Sequence, residues 1–307
     1  MPLSSFGGTI RADVDDSLYT ALAADSRYQS VGKFLYSVQG LGSYFASGVL
    51  ISPQWVLTAA HVTAGNNYNG GGISSMSFTL YNGASSSQYA ASNWYTHPGW
   101  GASNGNLFAG YDIALVRLST PVTGFTPATL APSSEYVEEG TIVGFGTTGT
   151  GDTGNTGAGG TKRAGNNMID AIGNGTSVSS NILLVDFDKP GVTSASSYGD
   201  TTPLPLEYLD APGDSGGGLF VTRQNLVNQA NETFVLGITS FVASTDGFAN
   251  ASYSDIGGFT DVTAFDSWIT TTMTVPEPGT WLPSTLLVIS VALTRRRPRV
   301  RKSRQPE

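Results

Sequence analysis

The sequence predicts an all-β protein, a barrel or a sandwich, on three observations. Short runs of β-type residues, alternating or continuous, recur along the chain and are bounded by turn residues. Gly reaches 39 of 307 residues, and Ser, Thr and Asn crowd the segments between the apolar runs. Charged residues make up only 12%, too few for the polar faces of helical repeats or coiled coils, while 39% apolar content suffices for a real core.

The elements follow in order. Phe34 to Val38, Phe45 to Ile51 and Trp55 to Ala59 form a first group of strands, followed by Ser75 to Tyr81 and by Ile113 to Leu118. Thr141 to Phe145, Ile182 to Phe187, Gly217 to Thr222 and Phe234 to Phe241 complete the set. One amphipathic helix is predicted near the end of the body, where Val262, Phe265, Trp268 and Ile269 fall at helical spacing and would pack on the domain surface. Residues 146–166 are almost wholly Gly, Thr, Asn and Ala, a low-complexity loop without the apolar area to hold itself rigid, and its midpoint is the expected seam between two halves. Residues 189–206 form a second polar, Pro-containing connection.

Charge narrows the partners. The formal net charge of −8 conceals an asymmetry, because seven of the 15 basic residues lie in the last thirteen positions. Without residues 274–307 the chain has eight basic against 21 acidic residues, a net of −13. An acidic body argues against nucleic-acid binding and suits an exported soluble protein, expected to be a monomer. There is no cysteine, so packing alone must stabilise the fold. The run Asp13 to Asp16 reads as a solvated acidic turn, and no metal or cofactor is expected. Met1-Pro-Leu-Ser-Ser-Phe-Gly-Gly lacks the charged segment and apolar core of a signal peptide, so the route of export is not visible in this sequence.

The C-terminal residues are built differently from the body. Pro276-Glu277-Pro278 lies in a linker, 274–280; thirteen mostly apolar residues follow, 281–293, short of the roughly 20 a stable span needs; an Arg-rich end closes the chain, 294–307. A buried core helix is the plainer reading of the apolar stretch. The three parts in this order resemble the PEP-CTERM sorting signal of Gram-negative bacteria. That resemblance implies transient membrane anchoring by 281–293, cleavage by an exosortase-type enzyme, and release to the cell surface or outside.

Three short motifs carry chemistry. Gly213-Asp214-Ser215-Gly216-Gly217 flanks a serine with glycines, which permits a tight turn that lifts the hydroxyl clear and frees the Gly213 and Ser215 amides to converge on one oxyanion. Thr58-Ala59-Ala60-His61 follows an apolar strand and supplies one of only two histidines. Asp112 heads the run Ile113 to Leu118, where a carboxylate can be buried against an imidazole N–H. Singly, each has a plainer reading: a turn, a structural histidine, a turn aspartate. His97, beside Pro98, reads as structural, and Trp55, Trp94, Trp100 and Trp268 read as core or rim aromatics without a functional role.

Together the three motifs resemble the chymotrypsin (trypsin-like) serine proteases, in the chain order His, Asp, Ser and with separations of 51 and 103 residues. Gly48-Val49-Leu50-Ile51-Ser52, His97-Pro98, Gly144-Phe145-Gly146 and Gly237-Ile238-Thr239-Ser240-Phe241 extend the resemblance over residues 10 to 272. It implies two six-stranded antiparallel β-barrels with a C-terminal helix in a domain of residues 1–273, followed by the short hydrophobic tail helix. It further implies an endopeptidase acting on proteins or peptides, with His61, Asp112 and Ser215 as the catalytic residues and Gly213 and Ser215 as the oxyanion hole.

The family's substrate pocket maps onto Leu209 and Asp210, onto Ser240, Phe241 and Val242, and onto Gly257. Apolar Leu209 at the base and Val242 at the entrance favour small or medium aliphatic side chains, with Asp210 an ambiguity. Asp214 would pair with a freed N-terminal amine, for which Ile10, in Gly7-Gly8-Thr9-Ile10, is the nearest candidate. The rival readings are a catalytically silent binding protein of the extracellular matrix on the same fold, a structural matrix protein and a non-peptide esterase.

Overall fold

The computed structural model describes residues 8–65, 72–134, 138–199, 201–224, 229–248 and 250–274. Six strands, Val31–Val38, Gly42–Ser52, Trp55–Thr58, Ile73–Asn82, Ser85–Thr96 and Ala114–Leu118, form the first barrel. Antiparallel pairing runs around it, and it closes between Val31–Val38 and Ile73–Asn82. Phe34, Val49, Leu57, Phe78, Leu80 and Leu115 fill it with no solvent exposure, each contributing roughly 1.5–3 kcal/mol by burial. Phe34 and Phe78 meet across it with ring centroids 4.8 Å apart.

The second barrel-like sheet has eight strands, ordered Arg163–Ile169, Glu138–Gly144, Gly218–Gln224, Asn231–Ala243, Ile256–Asp261, Ile182–Asp186, Ala171–Ile172, with Thr129–Leu130 added in parallel to Asn231–Ala243. Its two end strands are successive parts of one segment, broken only at Asp170, so the curled sheet returns to its starting stretch of chain. Ile142, Ile169, Leu183, Val185, Leu219, Leu236 and Phe259 make its core. The architecture is the expected all-β pair, the second member being a curled eight-strand sheet rather than six equal strands.

Each of the nine predicted runs falls on a strand, five of them overrunning it by one residue, and the closing helix is present as a 3-10 turn, Val262–Phe265, leading into an α-helix, Asp266–Met273. Three of the longer strands and one eight-residue helix were not expected. Ser85–Thr96 is largely solvent-facing, Arg163–Ile169 buries Arg163 and Asn167, and Ile256–Asp261 carries two glycines, so none shows an apolar pattern. The helix Asp16–Ala23 is capped by Asp15, whose side chain accepts from the Ser17 amide, and its Asp16 pairs with Arg163 at 2.5 and 2.7 Å. Asp13 pairs with Arg11. The acidic run 13–16 is thus an exposed turn, as expected, whose carboxylates also serve as a helix cap and as ion-pair partners.

The seam also moves. The first barrel ends at Leu118 and the second sheet begins at Thr129, so the crossing lies between them, whereas 146–166 is internal to the second sheet. Nor is 146–166 loose: Gly151 donates to Ile10, Asn155 to Asn250, Gly157 to Thr148 and Gly160 to Phe145, and Ala158 is buried. Backbone hydrogen bonds supply the order that apolar area could not. The apolar stretch 281–293 and the basic end 294–307 lie outside the described residues; within them, no helix is long and apolar enough to cross a membrane.

Candidate active site

The strand Trp55–Thr58 delivers the chain to a single helical turn, Ala60–Thr63, which carries His61. Asp112 precedes the neighbouring strand Ala114–Leu118 and is fully buried. Its carboxylate grips His61 twice: Oδ1 accepts the His61 backbone N–H at 2.9 Å and Oδ2 lies 2.8 Å from Nδ1. Ser240 Oγ donates to the same Oδ2 at 2.6 Å, and Thr260 Oγ1 donates to the Asp112 carbonyl at 3.0 Å. With Nδ1–H directed to the carboxylate, Nε2 is left with its lone pair. Burial would lower the His61 pKa, but the Asp112 charge and hydrogen bond outweigh it and hold the imidazole above its ordinary 6.5.

Ser215 comes from the second sheet. Gly213 at φ 101° and Gly216 at φ 81° take backbone conformations that side chains disfavour, and a Cβ on Gly216 would strike Thr58 Oγ1 and the Ser47 carbonyl. Ser47, on the first barrel, holds the turn from behind. Its Oγ donates to the Gly213 carbonyl at 3.0 Å and accepts from the Phe145 amide, and its N–H donates to the Ser215 carbonyl at 2.9 Å. Among the described residues neither the Gly213 nor the Ser215 amide donates a hydrogen bond. Both remain available to an incoming oxygen.

Asp214 is fully buried behind this turn, where its carboxylate accepts from the amides of Gly146 (2.7 Å), Ala211 (3.0 Å) and Gly8 and from the Tyr208 hydroxyl (3.4 Å). Burial lifts its pKa from 3.8 to about 6 against those four donors. Ile10, the terminus expected to meet Asp214, lies instead in the strand Thr9–Ile10, paired with Tyr208–Leu209. Near the start of the described chain, the residue whose N–H reaches the carboxylate is Gly8.

A cleft of about 510 Å³ opens beside these groups, lined by His61, Trp100, Leu107, Asp210, Ala211, Pro212, Ser215, Ser240, Phe241 and Val242. It brings together most of the expected pocket. Leu209 departs: its side chain is fully buried in the core of the second sheet and does not line the cleft, where Asp210 faces instead. Gly257 stands behind Asp210, with Oδ1 2.6 Å from where a Cβ would be. Ser240, expected as pocket wall, also holds Asp112.

The chain matches the family model described as Trypsin over residues 24–269. It belongs to the trypsin family. A bovine protein, chymotrypsin-like elastase family member 1, is 30% identical over 72% of this chain and 76% of its own length. The feline protein of the same name is 28% identical over 79% and 81%. Porcine complement C1s subcomponent is 37% identical over 35% of this chain, and the match spans only 17% of that protein's length.

Within this trypsin-family chain, sequence reasoning passed over Ser47 and Ser240's second role, and read Trp100 as a core or rim aromatic without a functional role. Trp100 is buried with Leu107 against Ala60 and forms a cleft wall, its ring centroid 6.4 Å from that of His61. Its place before a Gly- and Asn-rich segment carried no signal. His97 is structural, as expected: Nδ1 accepts from the Gly99 amide at 3.1 Å, and its ring stacks on Tyr111 and meets Phe265 and Trp268 edge-on. Burial lowers its pKa.

Proposed function

We propose that the chain is a serine endopeptidase whose nucleophile is Ser215, general base His61 and orienting carboxylate Asp112. One observation carries the reading: the His61 imidazole, gripped by a buried carboxylate, faces the cleft that Ser215 lines. Ser215 Oγ attacks the scissile carbonyl carbon while His61 Nε2 takes its proton, and the Asp112 charge stabilises the imidazolium. The carbonyl oxygen, now an oxyanion, receives the free Gly213 and Ser215 amides, a contribution of about 10²–10³ in rate per donor. The C–N bond then breaks as His61 returns the proton to the leaving amine, and water repeats the sequence on the acyl-enzyme. Among the described residues no hydrogen bond joins Ser215 Oγ to His61, a contact that free enzymes often tighten only on binding substrate.

The Asp214 environment supports an activation step in which the amine of a chain freed before Gly8 replaces a peptide N–H at the carboxylate. The chain is further read as an exported monomer, with a protease domain of 1–273 and a tail of 274–307 handled by an exosortase-type enzyme; the Pro-Glu-Pro, apolar and Arg-rich segments are what support this.

Labelling of the purified full chain with a fluorophosphonate probe tests the chemistry, because the probe reacts only with an activated serine. Labelling that disappears in Ser215→Ala is expected. A folded sample that takes no label would overturn the protease reading in favour of a silent binding protein on the same scaffold.

A further inference from the structure

A second cavity, of about 250 Å³, shares no wall with the cleft and is lined from the helix Asp16–Ala23, the 3-10 turn Ser26–Tyr28 and the hairpin joining Ile73–Asn82 to Ser85–Thr96. Ala24, Asp25, Gln29, Tyr81, Phe125 and Lys162 are among its walls. A lysine normally keeps its ammonium in water at the end of a flexible stem. Lys162 turns inward instead: its Nζ donates to the Tyr28 carbonyl at 2.6 Å, and among the described residues it has no carboxylate partner. The neighbouring Arg163, paired with Asp16, fixes the backbone at this place. The titratable groups that share the cavity do not act as its counter-ion. Asp25 accepts from the Arg27 amide at 2.9 Å and from the Arg27 guanidinium at 2.8 Å, and Tyr81 presents a ring over which Lys33 Nζ stands 5.8 Å from the centroid. An ammonium taken out of water without a partner is costly, so burial draws the Lys162 pKa from 10.5 down to about 7. At neutral pH much of the amine is therefore uncharged, with one N–H on the Tyr28 carbonyl and its lone pair unused.

We propose that Lys162 is a site of Nε-acylation, taking a short acyl group from a thioester that reaches it through this cavity; the endopeptidase reading is not needed for it. The Nζ lone pair attacks the acyl carbon, an N–C bond forms, the C–S bond breaks, and the proton shed by the nitrogen leaves with the thiol. The product suits the place better than the lysine does. It is a neutral amide, with no charge to desolvate, and it keeps one N–H for the Tyr28 carbonyl. That last point separates acyl donors from aldehydes: a neutral imine has no N–H and would leave the carbonyl without its donor.

The test treats the full chain with S-acetyl-N-acetylcysteamine, a small thioester, at a series of pH values and follows each lysine by peptide mass mapping. Lys33 and Lys189 in the same molecules are the references, so any reagent consumed at Ser215 affects all three alike. Near neutral pH only about one part in 1,000 of an ordinary lysine is uncharged. Lower basicity makes Lys162 the weaker nucleophile once uncharged, and the net expectation is acetylation about 10-fold or more faster than at Lys189. Its rate should rise through a pH of about 7 and then level off, while that of Lys189, held by Asp152, is still climbing. Ala24→Trp sets an indole at the exposed edge of the cavity and should slow Lys162 while leaving Lys189 unchanged, with thermal melts confirming that the variant folds. Acetylation of Lys162 no faster than that of Lys189 at neutral pH, or a rate that keeps climbing in parallel with Lys189, overturns the proposal on the wild type alone. An unchanged Lys162 rate in folded Ala24→Trp overturns entry through this cavity.

Discussion

Ser240→Ala removes a hydroxyl that donates at 2.6 Å to Asp112 Oδ2, leaving that oxygen with His61 Nδ1 as its remaining partner at zero exposure. A hydrogen bond to a charged group is worth about 1.5–3 kcal/mol net, and that loss should appear as a lower urea midpoint with an unchanged m-value. The same loss sets a ceiling on the rate effect: at about 1.4 kcal/mol per decade, kcat/KM should drop about 10- to 100-fold at neutral pH. A second consequence has a definite sign. A carboxylate deprived of one donor is more basic and holds the imidazolium more tightly, so the acid limb of kcat/KM should move to higher pH. Ser240→Thr, which keeps the hydroxyl, should restore most of both. Fluorogenic peptide hydrolysis from pH 5 to 9, with urea melts on the same samples, measures the set. Stability and pH profile both unchanged in Ser240→Ala would refute the reasoning that Ser240 positions the carboxylate.

In the wild type, His61 is held above 6.5, and since the base must be neutral, kcat/KM should rise with pH through a pKa higher than 6.5; Asp112→Asn, lacking the charge that raises it, should lower that limb while cutting the rate by several decades. Asp214 carries its proton more tightly folded, at about 6, than unfolded, at 3.8, so its share of stability falls as pH rises from about 4 to 6, by on the order of 3 kcal/mol. Thermal melts across that window should show the decline, and it should shrink in a chain begun at Gly8, whose ammonium favours the ionised form. Gly216→Ala forces a Cβ onto Thr58 Oγ1 and should abolish fluorophosphonate labelling, whereas Gly175→Ala, at φ 72° but in open space, should cost only about 1 kcal/mol in a urea titration. Arg163→Met strips the buried partner from Asp16 and should lower the melting temperature without altering the labelling rate.

How much of this was readable from the residues divides along physical lines. The strands flanking His61, Asp112 and Ser215 announce themselves because they bury apolar side chains at short range, and the chemistry lies in motifs of a few contiguous residues. Arg163–Ile169 did not, because its buried residues include an arginine and an asparagine whose cost is met by Asp16 and by the carbonyls of Asp186 and Tyr208, partners 19 to 147 residues away. The pocket floor failed by a single residue: the motif places Leu209 and Asp210 side by side, but only the pairing of Tyr208–Leu209 with Thr9–Ile10 decides which of them is turned inward. Ser47 and Ser240 are ordinary strand serines until the second sheet meets the first barrel. Their use depends on long-range geometry that local pattern does not encode.

The division of the site between the two sheets carries a final consequence. His61 and Asp112 ride on the first barrel, Ser215 and Ser240 on the second, and Ser47 fastens the nucleophile's turn to the first. On the proposed chemistry, neither half holds a working set of groups. A molecule that opens along this division exposes strands fit to be cut, yet at that moment it has lost its own capacity to cut. In a concentrated preparation, damaged copies can therefore be destroyed by intact ones but cannot join in the destruction, and self-digestion should slow, not accelerate, as the share of opened molecules grows.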